Sequence, residues 1–187
     1  MEVIYVVLAL VVLILVLGIS TYNSLISKRN DVRSIYSSVE VLLNQRYDLI
    51  PNLVASLKEY LKHESQTLEN ITRLRENALN INDKALKFNI NNELSQALKS
   101  LNVKVENYPE LKASENFLNL QNALRECEEQ ISAARRAYNS SVNAYNSACE
   151  SFPTIIIANM FNFKKAEFYE ASEQAKINPN VKDLFND

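Results

Sequence analysis

A chain of 187 residues that is 47% hydrophobic and 22% charged has the composition of one folded domain with room for an appendage, which excludes global disorder. Its single glycine leaves almost no residue that freely adopts positive φ, so a β-rich fold and a glycine-rich nucleotide loop are both disfavoured. A formal net charge of −2 gives no general attraction to nucleic acid, and we expect no nucleic-acid partner.

The N-terminal stretch from Val3 to Ile19 contains no charged side chain. Its length of about 17 residues lies at the short end of a bilayer-spanning helix, and residues 20–22 can extend it. One alternative is a cleaved signal peptide. A signal peptide begins with a positively charged region, whereas here the residues before the stretch include Glu2 and no Lys or Arg. Another is a buried core helix. We predict a retained transmembrane anchor over residues 1–22.

The charges that flank this anchor predict its orientation. Lys28, Arg29 and Arg33 follow the apolar stretch, whereas no Lys or Arg precedes it. The positive-inside rule then places the amino terminus outside and the rest of the chain in the cytoplasm. The prediction is a single-pass protein of the inner or plasma membrane.

Apolar residues after the anchor recur at the three- and four-residue spacing of amphipathic helices. They form four segments, at residues 25–50, 53–74, 86–105 and 117–152. Their narrow seams are typical of helices that pack nearly antiparallel, as in a coiled coil. We therefore predict an all-α fold in which the transmembrane helix is followed by an antiparallel up-and-down four-helix bundle over residues 23–152. Residues 153–187 would form a membrane-proximal apolar segment and a polar C-terminal tail.

A proline lies between the first two of these segments, in "RYDLIPNLV", residues 46–54. Because proline is favoured in the first turn of a helix, we predict that Pro51 begins the second helix at a hairpin corner. Arg46 and Asp48 would secure that corner by a salt bridge or by capping. The alternative is one kinked helix, since the apolar pattern runs almost unbroken across the proline.

Several motifs in order along the chain resemble the LemA family. They are "YNSLISKRNDV", "QRYDLIPNLVASLKEYLKHE", "ELSQAL", "ENYPELKASENFLNLQNAL", "ISAARRAYNSSVNAYN", "SFPTIIIA" and "FNFKKAEFYEASE". Together they cover nearly the whole chain and are very specific as a set. The resemblance implies an N-terminal membrane helix with a short outside terminus, an antiparallel helical bundle and no known enzymatic activity.

No catalytic, metal-binding or cofactor-binding site is predicted. His63 is the only histidine and has no second histidine one turn away, so a structural role is favoured. The glutamates at 126, 128 and 129 share a helix with arginines at 125, 135 and 136, which indicates a salt-bridged surface. Cys127 and Cys149 are too far apart on one helix for a disulfide and are predicted to be buried small residues.

Two Tyr-Asn pairs are candidates for contacts at the membrane-proximal end. In an up-and-down bundle the end of the fourth helix lies beside the start of the first, which would bring Tyr145 and Asn146 close to Tyr22 and Asn23. Hydrogen bonds there would suit tyrosine at a half-apolar, half-wet boundary. The alternative is unrelated packing tyrosines with solvated asparagines.

The stretch from Phe152 to Lys165 is the main functional candidate because it is apolar and follows the bundle. Its candidate interface residues are Phe152, Ile155, Ile156, Ile157, Met160, Phe161 and Phe163. Three interpretations remain open: a helix lying in the membrane interface, a surface for other copies or a partner protein, and a cap on the bundle.

The functional prediction is a non-catalytic, membrane-anchored scaffold that works as a homo-oligomer. The alternative is an adaptor or sensor that modulates a membrane-protein partner, such as a protease or signalling protein. An enzyme would need a site that these residues do not form.

Overall fold

The computed structural model describes residues 1–169, and these form helices and connections with no β-strand among them. The predicted all-α class is confirmed. The α-helices are α1 (Glu2–Leu57), α2 (Ser65–Asn80), α3 (Lys84–Val105), α4 (Pro109–Lys112), α5 (Glu115–Glu150) and α6 (Thr154–Met160), and a 3-10 helix spans Lys62–Glu64. The up-and-down four-helix topology and the divisions at residues 22 and 152 stay predictions. The predicted tail from Lys176 onward lies outside the described residues.

The first part of α1 is the one candidate membrane span within residues 1–169, judged by length and composition. Every side chain from Val3 to Leu17 is exposed, although nearly all of them are large and apolar. Apolar surface of this extent is disfavoured in water and favoured in a bilayer. The chain therefore has a candidate N-terminal transmembrane helix, as the sequence indicated.

The described chain divides into two compact units. We call residues 1–41 and 132–168 the first unit, and residues 42–131 together with Tyr169 the second unit. Helices α1 and α5 each contribute residues to both units, whereas α2, α3 and α4 belong to the second and α6 belongs to the first.

Local signals explain where the shorter helices begin. The side chain of Asp83 accepts a hydrogen bond of 2.9 Å from the backbone N–H of Leu86, which caps the first turn of α3. Pro109 occupies the first position of α4, where its missing N–H has no helical partner to lose. Asp83 and Pro109 are thus local sequence signals for the first turns of α3 and α4.

Helix α1 continues through Pro51 to Leu57, so the predicted hairpin corner at Pro51 is wrong. Instead, a single helix runs across the proline, as in the alternative given above. The connection that follows α1 lies at residues 58–61, after which the 3-10 helix begins.

A side chain on another helix explains how α1 tolerates Pro51. Proline has no N–H to donate to the carbonyl of Tyr47, four residues earlier. The Nε atom of Arg75, on α2, donates to that carbonyl oxygen at 2.7 Å. The guanidinium therefore replaces the backbone donor that the proline removes, and it ties α2 to α1 within the second unit.

Replacing Arg75 by methionine is expected to lower the free energy of unfolding by about 1–2 kcal/mol, because the Tyr47 carbonyl loses its donor. The loss should be smaller in a Pro51→Ala background, where the N–H of residue 51 can bond to Tyr47. Urea unfolding of the four proteins in this cycle should give a coupling free energy of about 1 kcal/mol. An equal loss in both backgrounds would contradict this account of the proline.

Candidate interaction surface

Helix α6 ends at a turn that requires a left-handed residue. Asn162 has φ 53°, a conformation that asparagine tolerates better than most residues. Its N–H bonds to the carbonyl of Asn159 at 3.3 Å, and the N–H of Phe163 bonds to that of Ala158 at 2.9 Å. This pair of bonds is a Schellman motif, which stops the helix and directs the chain onward.

Helix α6 and the connection before it present an exposed apolar face. Phe152, Ile156 and Met160 recur at four-residue spacing, and their exposed fractions are 82%, 52% and 70%. Phe161 beside them is also exposed. We call these four residues the α6 outer face. Single exposed apolar residues are ordinary, but a grouped set of large ones indicates an interaction surface.

The opposite side of α6 faces the protein. Ala158 is buried, and Ile155 and Ile157 are half-buried. The predicted apolar segment is thus divided between an inward and an outward side.

Aromatic contacts join the end of α6 to α1 just beyond the candidate span. The ring centroid of Tyr22 lies 4.7 Å from that of Phe161 and 5.7 Å from that of Phe163. The guanidinium carbon of Arg29 lies 5.2 Å from the Phe163 ring centroid, which is cation–π geometry. Since Tyr22 follows the last residue of the apolar stretch by three positions, the contact holds the end of α6 close to that stretch.

The segment after the Schellman turn, residues 163–168, is held against α5 by three side chains, and we call it the strap. The hydroxyls of Tyr138 and Tyr145 donate to the carbonyls of Glu167 and Lys164, each at 2.9 Å. Asn146 binds the strap twice, because its Nδ2 donates to the carbonyl of Ala166 and its Oδ1 accepts from the Ala166 N–H, each at 2.9 Å.

Burial raises the pKa of Tyr145 to about 12, with a hydrogen bond to Cys149 as the next contribution. Burial also raises the pKa of Tyr138, and the nearby carboxylate of Glu167 adds to that shift. Both hydroxyls therefore stay protonated, and able to donate to the strap, across the physiological pH range.

Arg46, on α1, is fully buried at the centre of a polar network in the second unit. Its Nη1 donates to the hydroxyl of Ser95 at 2.7 Å and to a carboxylate oxygen of Glu128 at 2.5 Å. Its Nη2 donates to the side-chain oxygen of Asn91, which also accepts from the hydroxyl of Tyr47 at 2.8 Å. One guanidinium thereby connects α1, α3 and α5.

Comparison with known proteins gives the family of the chain. The model of the LemA family matches residues 35–182. The chain belongs to the LemA family. The resemblance noted from the motifs is thus confirmed, and the match includes Arg46, its network, α6 and the strap.

Two kinds of relative are similar to this LemA-family chain. Protein LemA of Metamycoplasma hominis is 27% identical over 165 residues, which cover 88% of this chain and 75% of that protein. Magnetosome protein MamQ of Magnetospirillum gryphiswaldense is 23% identical over 208 aligned positions, covering 93% of this chain and 76% of that protein. MamQ 2 of Paramagnetospirillum magneticum is 30% identical over 74 residues, which are 40% of this chain and 27% of that protein. None of these names describes an enzyme.

The structure of this LemA-family protein corrects the predicted roles of three charged residues. Arg46 does not secure a corner, because it lies within α1 and its partners are on α3 and α5. Asp48 is exposed to solvent and takes no part in that network. Glu128 pairs with the buried Arg46 on α1, not with an arginine on the surface of its own helix.

Residues of the two predicted Tyr-Asn pairs contact the strap. Tyr145 and Asn146 bind the strap, and Tyr22 contacts the same strap at Phe163. Asn23 is exposed. The strap therefore brings Tyr22, Tyr145 and Asn146 into one site, and Asn23 is outside it.

Sequence reasoning missed Asn91, Ser95 and Arg75, and for the first two a signal existed. Phe88, Asn91, Ser95 and Leu98 follow one another at three- and four-residue steps, so two polar residues occupy an otherwise apolar seam of α3. Polar residues in such a seam predict a buried partner. Arg46 occupies the seam of α1 in the same way, between Leu43 and Ile50.

A cleft of about 530 Å³ lies beside the Arg46 network in the second unit. Its apolar lining comes from Leu53, Leu98 and Leu124, and Ser95 and Glu128 are among its polar lining residues. Both of these polar side chains are hydrogen-bonded to Arg46, and the Ser95 hydroxyl also donates to the second carboxylate oxygen of Glu128 at 3.2 Å. Within residues 1–169 no group of three or more His, Cys, Asp or Glu side chains is placed to hold a metal ion.

Proposed function

We propose that this LemA-family protein is a non-catalytic, membrane-anchored scaffold that acts by self-assembly at the membrane. The observation that carries the proposal is the α6 outer face, a set of large apolar side chains exposed close to the candidate span. Burying such a face against another copy would contribute on the order of 25 cal/mol per Å² of apolar surface removed from water.

The membrane anchor makes weak self-association effective. Copies held by the N-terminal helix share one surface and one orientation, so their local concentration is high without a large interface. In the proposed orientation Lys28, Arg29 and Arg33 lie on the cytoplasmic side, where the negative surface potential of the membrane favours them. The α6 outer face would then meet its equivalent in a neighbouring copy near the bilayer surface.

The Ile156→Asp variant tests the proposal, because it puts a charge in the middle of the α6 outer face. We expect wild-type full-length protein in mild detergent to form particles of several copies by light scattering, and Ile156→Asp to reduce their mass to that of one copy. Far-UV circular dichroism should show unchanged helicity, because Ile156 is half exposed at 52%.

Val103→Asp is the matched control, since Val103 is 63% exposed on α3 and lies in the second unit. It should leave the particle mass unchanged. If Ile156→Asp assembles as wild type does, the α6 outer face is not the self-association surface. If wild-type protein is a single copy that gains mass only with a membrane-protein partner, the scaffold proposal fails and the adaptor function replaces it.

A further inference from the structure

We call the surface of α5 that holds the strap, formed by Tyr138, Tyr145 and Asn146, the groove. The groove recognises the backbone of the strap rather than its side chains. The four hydrogen bonds from Tyr138, Tyr145 and Asn146 all end on peptide N–H or C=O groups of strap residues 164, 166 and 167. Every residue type except proline offers both of these groups. The side chains of Lys164, Lys165 and Glu167 are exposed. Any segment of suitable backbone geometry can therefore satisfy the groove.

Among the strap side chains, Phe163 makes an aromatic and a cation–π contact. Its ring contacts Tyr22 edge to face and lies beneath the Arg29 guanidinium, whose buried Nε has no hydrogen-bond partner among the described residues. The groove thus selects an aromatic residue followed by an accessible backbone. A second copy of this chain presents that combination with the same spacing.

The connection before α6 allows the strap to reach a different groove. Helix α5 ends at Glu150 and α6 begins at Thr154, so three exposed residues form the connection. Ala158 is the one fully buried residue of α6, and Tyr169, directly after the strap, is buried and stacks on Phe88. Segments held by few buried apolar contacts open at low free-energy cost.

We propose that in the assembled protein the groove of one copy binds α6 and the strap of a second copy, and that the second copy receives the first copy's strap in return. This inference rests on the self-assembly stated above and names its geometry. Exchange of identical elements preserves every hydrogen bond of the strap, so it requires no new recognition. The apolar surface of the α6 outer face, buried between the two crossing segments, offsets the entropy lost on association.

An ion pair outside these hydrogen bonds gives a probe of exchange. Lys165 in the strap pairs with Glu150 at the end of α5, and both side chains are exposed. Exposed ion pairs contribute little to stability, so each partner can be replaced by cysteine without unfolding the protein. The background carries Cys127→Ala and Cys149→Ala so that no native thiol interferes.

The experiment co-expresses two differently tagged full-length copies, one with Glu150→Cys and the other with Lys165→Cys. After mild oxidation in membranes, exchanged straps should give a disulfide between the two tags, in up to about half of the chains if pairing is random. A single copy carrying both cysteines checks that the two positions can be linked. In a control for random collisions between copies, Asn143→Cys replaces Glu150→Cys. Asn143 is exposed and lies two turns earlier on α5, so this pair of cysteines should give little linkage.

Light scattering of the same samples separates the possible results. Oligomers with efficient linkage between the two tags support exchange. Oligomers that link only within the doubly substituted copy overturn exchange and leave the scaffold function standing. Equal linkage in the Asn143→Cys control would also overturn exchange and leave the scaffold function standing. Particles of a single copy without linkage overturn both the scaffold function and the exchange.

Discussion

Replacing Arg46 by methionine is expected to lower the free energy of unfolding by about 3 kcal/mol. Methionine fills similar space but donates no hydrogen bond, so the Ser95 hydroxyl and the side-chain oxygen of Asn91 each lose the bond from Arg46. Glu128 loses its cation, although its side chain is 35% exposed and water can replace part of the interaction. For a domain of this size the melting temperature should fall by roughly 6–12 °C.

Thermal unfolding followed by circular dichroism of the full-length protein in mild detergent measures this effect. Arg46→Lys should fall between wild type and Arg46→Met, because lysine keeps the charge but its single ammonium nitrogen cannot occupy both the Nη1 and the Nη2 positions. Asp48→Ala is the matched control and should change stability by less than about 0.5 kcal/mol, since Asp48 is an exposed neighbour. Equal melting temperatures for Arg46→Met and Asp48→Ala would show that the network contributes nothing to stability.

Replacing Asn146 by aspartate is expected to release the strap while leaving the helices folded. Aspartate can still accept from the Ala166 N–H, but it places a second oxygen against the Ala166 carbonyl where Nδ2 now donates. A loss of about 2 kcal/mol in strap binding would accelerate amide hydrogen exchange at Ala166 by roughly 30-fold. Exchange at the amides of α5 should stay as in wild type.

Acid provides an internal test of that explanation. Once the aspartate is protonated, near pH 4, its hydroxyl can donate to the Ala166 carbonyl and protection should partly return. Asn143→Asp, an exposed substitution on the same helix, should leave Ala166 protected at both pH values. Rapid exchange at Ala166 in the wild-type protein would mean that Asn146 does not hold the strap.

The sequence was sufficient for the features that depend on local patterns. The structure has four features that local signals indicate: the apolar run after Glu2, the helical spacing of the leucines, the connection after Asn80 and the position of Pro109. The family motifs added the assignment that composition alone does not support.

Features that depend on distant partners were not accessible in the same way. The helix through Pro51 relies on Arg75, which is 28 residues from Tyr47, the residue whose carbonyl it caps. Glu128 is 82 residues from Arg46, and its neighbours on α5 suggested a surface role. The strap was hardest to foresee, because its bonds end on backbone groups that every residue carries and no side-chain pattern marks them.

The buried Arg46 also distinguishes the native alignment of the helices from near-native ones. Leucine seams on neighbouring helices are similar from one turn to the next, so sliding one helix by a turn of 5.4 Å would preserve much of the apolar packing. A guanidinium whose acceptors are Asn91, Ser95 and Glu128 has no such freedom, because a slipped helix would leave a cation without partners in the interior. The network thereby penalises misaligned packing more than it strengthens the correct one, and the alignment of α1, α3 and α5 becomes unique.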